Sequence, residues 1–286
     1  MKIIFIGSAS TLSLVPFKAL IESNEHQLCA FAYDQESDKS LDVLYEGSIQ
    51  SLAFKQSIPL IKFDHHYLGA IEKIKSLQPD VIFVSCYSRL LPETITSIPK
   101  LGCFNLHPSL LPAFRGPTPL FWQLHAGDTQ LGVSIHRVSN VFDQGNIVGQ
   151  KQISIADGVL KDNINILLAN AGSELLFSVL SDIDHIKELK QDESLASYQS
   201  FYSQSDYCVE TSWSAKRIYN FIKAYQSTTS VFKLEIEGDV FFIREVLSYQ
   251  IHEFEELVGQ SYYRSENNLK FACQQGYIEC LIENKL

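Results

Sequence analysis

The chain has 286 residues, 45% of them hydrophobic and 20% charged, with a formal net charge of −10. Such a composition predicts an ordinary folded core, in one large domain or in a larger one with a small companion. It argues against a surface that grips nucleic acid through phosphates, which needs basic charge, and the lack of an unbroken run of about 18 apolar residues argues against a membrane span.

From the N-terminus, "KIIFIG" (2–7) reads as a buried strand closed by a turn at Gly7, too short an apolar run for a secretory leader. A helical pattern follows over 12–23, then a strand over 27–33, a helix over 45–56 and a short strand over 58–63. Leu68, Ile71, Ile74 and Leu77 stand at helix spacing before Pro79. The runs 80–87 and 102–107 are strands, and Phe121 and Trp122 suit a core helix. Strands over 131–138 and 146–155 precede a long helix over 160–180. Continuously apolar strands between helices predict an α/β fold, with a mostly parallel sheet covered by helices on both faces.

The polar, Ser-rich stretch 183–205 reads as a linker. Beyond it come a helix near Ala215–Ala224 and strands "TSVFKLEI", "DVFFIREVLSY", "LKFACQ" and "YIECLI", with a turn at Gly238–Asp239. The expected organisation is therefore a domain over 1–182, a linker over 183–205 and a small β-rich domain over 206–286. The six cysteines, at 29, 86, 103, 208, 273 and 280, form no C-x-x-C pair. Cys86 and Cys103 sit in apolar runs and are expected to be small buried residues. No disulfide framework is expected, and a reducing cytoplasm fits. His65–His66 lacks a partner at ligand spacing, so no metal site is expected.

In open parallel α/β sheets, ligands bind beyond the carboxyl ends of the strands. Asn105 and His107 close one such strand and, two residues apart, share a face. "VFDQGN" (141–146) joins two later strands and offers Asp143. An amide can hold an oxyanion, an imidazole can move a proton near neutral pH, and a carboxylate can orient the imidazole. Together these parts suit acyl transfer to an amine. On spacing alone, Asn-x-His also fits a turn-capping amide and a structural imidazole, and Asp143-Gln-Gly a simple turn. Histidines 26, 65, 66, 125, 136, 185 and 252 lack such a context, and core or surface roles are their default. No G-x-S-x-G, G-x-G-x-x-G or P-loop occurs.

The stretch "CFNLHPSLLPAFRGPTPLFWQLHAGDTQLGVSIHRVSNVFDQGNIV" resembles the core of the formyltransferases that use 10-formyltetrahydrofolate. It carries, in order, Asn-x-His, Ser-Leu-Leu-Pro, Arg-Gly, a Gly-Val-Ser strand and Asp-x-Gly. "IIFIGSASTLSLVPFKAL", "PDVIFVSCYSRLLP" and "TSWSAKRIYNFIKA" extend the likeness to about residue 225. The resemblance implies the formyltransferase Rossmann-like fold and a catalytic triad of Asn105, His107 and Asp143, with His107 acting as the imidazolium. It implies folate contacts from Arg89, Leu90, Leu91, Asn140, Val141 and Phe142, Arg89 being otherwise a plain surface charge. It places Ser109, Leu110, Leu111, Pro112, Arg115 and Gly116 near the acceptor, and calls for 10-formyltetrahydrofolate as co-substrate.

The tRNA-acting members carry a basic Gly-Arg-Gly loop after the second strand, where this chain has acidic "DQESDKSLDVLYEG" (34–47). Residues 206–286 hold 8 Lys and Arg against 12 Asp and Glu. The expected acceptor is therefore a small amine, with an amino sugar on a nucleotide as one class. The alternatives are a methionyl-tRNA formyltransferase, a formyltetrahydrofolate hydrolase or a non-catalytic folate-binding module.

Overall fold

The computed structural model describes residues 1–34, 48–226, 231–251 and 260–283. The acidic stretch set against the basic loop lies, over 35–47, outside the described residues, as does the start of the helix expected from residue 45.

The chain forms two compact units, neither of them continuous in sequence. The first takes Met1–Pro119, Leu131–Ile153 and Asn165–Gln199, and the second takes Leu120–Gln130, Ser154–Ile164 and Ser200–Leu286. Most of the expected linker thus belongs to the first unit. Leu189 and Ile147 exchange backbone hydrogen bonds of 2.8 Å, and Arg115 N–H donates to the carbonyl of Ser197 at 2.9 Å.

The first unit is built on a seven-stranded sheet. In chain order its strands are β1 (Lys2–Gly7), β2 (Gln27–Asp34), β3 (Leu60–Phe63), β4 (Val81–Ser85), β5 (Gly102–His107), β6 (Gln130–Arg137) and β7 (Ile147–Ser154). In space they run β3-β2-β1-β4-β5-β6-β7. Strands β1 to β5 pair in parallel, and β5 and β6 pair antiparallel, with Asn105 opposite His136 and His107 opposite Ser134. The order reverses between β1 and β4, which opens a crevice beyond the carboxyl ends of the strands.

Burial explains the continuous apolar runs. In β1, Ile4 and Ile6 join a core layer with Ala30, Ile61, Ile74 and Val84. The alternate residue Phe5 meets Phe17, Phe31 and Phe83, with ring centroids 5.4–6.3 Å apart. A strand buried on both faces has no polar side to show. Helix α1 (Thr11–Ser23) begins where the Ser10 hydroxyl accepts from Ser13 N–H, the usual N-cap bond. Ser13 Oγ–H then donates to the Ser85 carbonyl and Ser85 Oγ–H to that of Leu12, both at 2.8 Å, which ties α1 to the end of β4. Helices α2 (Ile49–Lys55), α3 (Leu68–Leu77) and the short α4 (Glu93–Thr96) lie between the strands in sequence.

Two expectations change here. The strand expected over 80–87 stops at Ser85, because Cys86 turns into the left-handed region at φ 53°; Cys86 is half-buried, whereas Cys103 is 4% exposed. Helix α6 (Lys161–Ser181), which follows α5 (Pro119–Ala126), is long and apolar enough to cross a membrane, yet 56% of its apolar window is buried within the protein. Its apolarity is that of a core helix.

The second unit carries a six-stranded sheet ordered β11-β12-β13-β10-β9-β8. These strands are β8 (Cys208–Val209), β9 (Phe232–Ile236), β10 (Asp239–Gln250), β11 (Tyr262–Ser265), β12 (Asn268–Cys273) and β13 (Gly276–Ile282), with helix α7 (Ala215–Tyr225) after β8. The β9–β10 turn falls on Glu237 and Gly238, both at positive φ, one residue before the expected Gly-Asp. Phe121 of α5 is 1% exposed and meets the rings of Tyr202, Tyr207, Phe221 and Tyr225 within 5.3 Å.

Candidate active site

Three structural devices bring the functional side chains together at the open end of the first sheet. Strand β5 ends in Asn105-Leu106-His107, and β6, antiparallel to it, sets His136 opposite Asn105. The loop between β6 and β7 then delivers Asp143 in the left-handed region at φ 57°. For a non-glycine residue that conformation is costly and needs support from its surroundings.

Asp143 is 9% exposed and sits at the centre of the cluster. Its Oδ1 lies 3.5 Å from His107 Nδ1 and 3.4 Å from His136 Nε2, and its Oδ2 accepts from Gly116 N–H at 2.9 Å. Burial works against the charge, but the adjacent His107 ring, with the Gly116 amide, outweighs it and holds the carboxyl at about 2. Asp143 is thus a fixed anion at any ordinary pH.

The tautomers follow from the partners. His136 Nδ1–H donates to the Arg137 carbonyl at 2.8 Å, which leaves Nε2 to accept from Asn105 Nδ2–H at 3.1 Å. The Asn105 amide is therefore oriented with one N–H on His136 and the second N–H unspent. His107 Nε2–H donates to the Phe114 carbonyl at 2.9 Å, and its Nδ1 lies 3.5 Å from Asp143 Oδ1, so both ring nitrogens face an acceptor oxygen. Burial pushes the His107 imidazole below its usual value, against the pull of Asp143 and the Phe114 carbonyl.

Asn105, His136 and Asp143 form the polar end of a cleft whose other walls include Val84, Tyr87, Leu91, Val138 and Phe142. His107 does not line this cleft; it touches the carboxylate that does. Leu90, Val141 and Phe142 are 43%, 45% and 37% exposed at its mouth. Asn140 is exposed and stands outside the lining. Arg89 lines the cleft, but its guanidinium pairs with buried Asp34 at 2.6 Å, donates to the His65 carbonyl at 3.1 Å and stacks over Tyr67 at 4.7 Å.

The residues expected near the acceptor are heavily engaged within the protein. Ser109 Oγ–H donates to the Ala113 carbonyl, and Ser134 Oγ–H to that of Ser109. Leu111 N–H donates to Ser134 Oγ, and the Leu111–Pro112 bond is cis. Leu110 packs against Gly132, where a β-carbon would come within 2.5 Å of it. Arg115 is 3% exposed, with its guanidinium on Gln191 and Glu193. At Gly116, φ is +114° and a β-carbon would stand 2.0 Å from the Gln199 carbonyl, so only glycine fits.

Residues 1–180 match the family described as Formyl transferase. This chain belongs to the formyl transferase family. The methionyl-tRNA formyltransferase of Ehrlichia chaffeensis is 38% identical over 208 residues, which cover 69% of this chain and 66%, just under two thirds, of that protein. Among solved structures, the N-formyltransferase from Helicobacter canadensis, in complex with folinic acid and dTDP-3-aminofucose, superposes with a TM-score of 0.70 at 16% identity, covering 99% of this chain and all of that one. The methionyl-tRNA formyltransferase from Clostridium thermocellum superposes at 0.54 and 14%, with the same coverage. At such identities the structural likenesses speak to the fold.

Two residues at the site escaped the sequence reading. His136 was set aside as a histidine without context, although it stands two residues after Ser134 in the Gly-Val-Ser strand; only the antiparallel register puts it against Asn105. Gln191 lay in the presumed linker, yet it is 5% exposed and bonded to the Asp143 loop. Among the described residues, no group of three or more His, Cys, Asp or Glu is placed to hold a metal ion.

Proposed function

We propose that this chain transfers a formyl group from 10-formyltetrahydrofolate to the nitrogen of an amine. The observation that carries this reading is that His107 and His136 both stand within 3.5 Å of the buried Asp143 carboxylate, with the Asn105 amide on His136, at the end of a cleft with apolar walls. The cleft suits the co-substrate. Leu90, Val141 and Phe142 leave apolar surface exposed where a flat heteroaromatic ring would lie, and Asn105, His136 and Asp143 supply buried polar groups beside it. The bound folate supplies an activated formyl group.

The chain's own residues supply the rest. The unspent N–H of Asn105 is a donor aimed from the cleft wall, suited to an oxygen that gains negative charge as nitrogen attacks. Its direction is fixed by His136, so no reorganisation is needed as charge develops. Asp143 faces the cleft as an anion, accepts a hydrogen bond from the attacking amine and relays the proton that the amine sheds, without holding it. His107, its Nδ1 3.5 Å from that carboxylate, orients it and shares the proton in transit. The same pair returns a proton to the departing nitrogen.

For the acceptor we favour a small amine, with an amino sugar on a nucleotide as the first class to assay. The support is electrostatic: the net charge is −10, and residues 206–286 carry a net −4. The second reading is methionyl-tRNA, and it is favoured by the sequence relatives of that name. Release of tetrahydrofolate, measured with a dTDP-amino sugar, with methionyl-tRNA and with no acceptor, separates these readings. Turnover with the amino sugar is the expected result. Turnover only with charged tRNA would move the assignment to the second reading, and formate release without acceptor would make the protein a hydrolase.

A further inference from the structure

The stretch 183–205 has the composition of a linker, yet its first part runs along two loops of the site. Ser197 N–H donates to the Pro112 carbonyl at 3.2 Å, Phe114 N–H donates to Ser197 Oγ at 2.8 Å, and Leu189 is paired with Ile147. Between these anchors lies Gln191, a buried amide with every strong bonding position in use. Its Nε2 donates to the carbonyls of Asp143 and Gly145, both at 2.7 Å. Its Oε1 accepts from Arg115 Nε at 3.0 Å and Nη2 at 2.7 Å. Arg115 is fixed in turn by a two-pronged pair with Glu193, at 2.9 and 2.8 Å.

The two carbonyls held by Gln191 bracket the segment in which Asp143 adopts its left-handed backbone. Gly145, two residues on, passes so close to the Arg137 carbonyl that a β-carbon would stand 1.7 Å from it. The segment is thus pressed against β6 on one side and bonded to Gln191 on the other. We propose that Gln191 is a positioning residue, whose buried amide clamps the backbone of Asp143 and Gly145 and so aims the Asp143 carboxylate at His107. The catalytic consequence rests on the formyl-transfer reading above; the clamp itself does not.

The two ends of the amide separate its roles. Gln191→Glu keeps an acceptor for Arg115 but sets an oxygen against the two carbonyls, whereas Gln191→Leu removes both functions. A misplacement of about 1 Å at a reacting group typically costs about a hundredfold. Both variants are therefore expected to lose kcat by about that factor, with KM for the folate changed less than about threefold. The second readout is the His107 ring, titrated by NMR in the full-length protein. The charged and polar groups facing it are Asp143, His136 and the Phe114 carbonyl. With Asp143 turned away, its titration moves to lower pH in both variants, as it does in Asp143→Asn.

Unchanged kcat and an unchanged His107 titration in Gln191→Glu, even with a lowered Tm, would overturn the clamp and leave Gln191 a structural residue. If Gln191→Leu fails to fold, Gln191→Glu decides alone. If the unaltered protein formylates no amine, the functional reading fails, and the His107 titration still judges the clamp: a shift supports it and no shift overturns it.

Discussion

Asn105 lines the cleft with its amide nitrogen 3.1 Å from His136 Nε2. If it holds the oxyanion as proposed, its removal costs about 3 kcal/mol of transition-state stabilisation, or about a hundredfold in kcat. Asn105→Ala should show that loss with folate affinity, read by fluorescence quenching, little changed; a kcat within about threefold of the parent would remove Asn105 from the chemistry. Asp143 makes a separate prediction in stability. Its folded value of about 2 lies below the ordinary 3.8, so its stabilising effect is complete above about pH 4 and is lost as the pH falls through 2. The gap in urea midpoint between the parent and Asp143→Asn should therefore shrink as the pH falls from about 4 to 2. A gap that stays constant down to pH 2 would mean that the carboxylate is not held by its partners.

At the scale of single elements, the sheet was readable because parallel strands buried on both faces leave unbroken apolar runs. The β1 strand "KIIFIG" has that form, and so does β4. Asn105 and His107 were legible for the opposite reason, since each is a polar group at the end of such a run. His136 was not, because its meaning depends on which residue of β5 lies opposite, and register between strands some thirty positions apart leaves no local trace. Gln191 was hidden by composition. A buried amide whose partners are main-chain carbonyls looks like any glutamine in a polar stretch. The loop carrying Asp143 yields a test of its own. In Gly145→Ala the new methyl group meets the main-chain oxygen of Arg137, which cannot swing aside as a side chain would. A loss of about 2 kcal/mol is expected from the urea midpoint, together with a fall in kcat; a variant as stable and active as the parent would show that the loop relaxes freely.

The whole molecule is divided by packing and not by position along the chain. Segments 120–130 and 154–164 lie within the expected catalytic half of the sequence, yet they pack with the C-terminal unit. Phe121 is the centre of that unit's aromatic cluster, and Asn220 of α7 donates to Asp157 at 3.0 Å and accepts from Gly158 N–H at 2.8 Å. A fragment of residues 206–286 expressed alone should therefore lack cooperative unfolding by circular dichroism, while a fragment with 120–130 and 154–164 grafted back should regain it. Cooperative unfolding of the bare fragment would refute this division. The interleaving also constrains anyone who recombines this protein with its relatives. A single crossover point, wherever it is cut between residues 130 and 200, parts some side chains from their packing partners, so the second unit can be exchanged intact only by moving its three stretches at once.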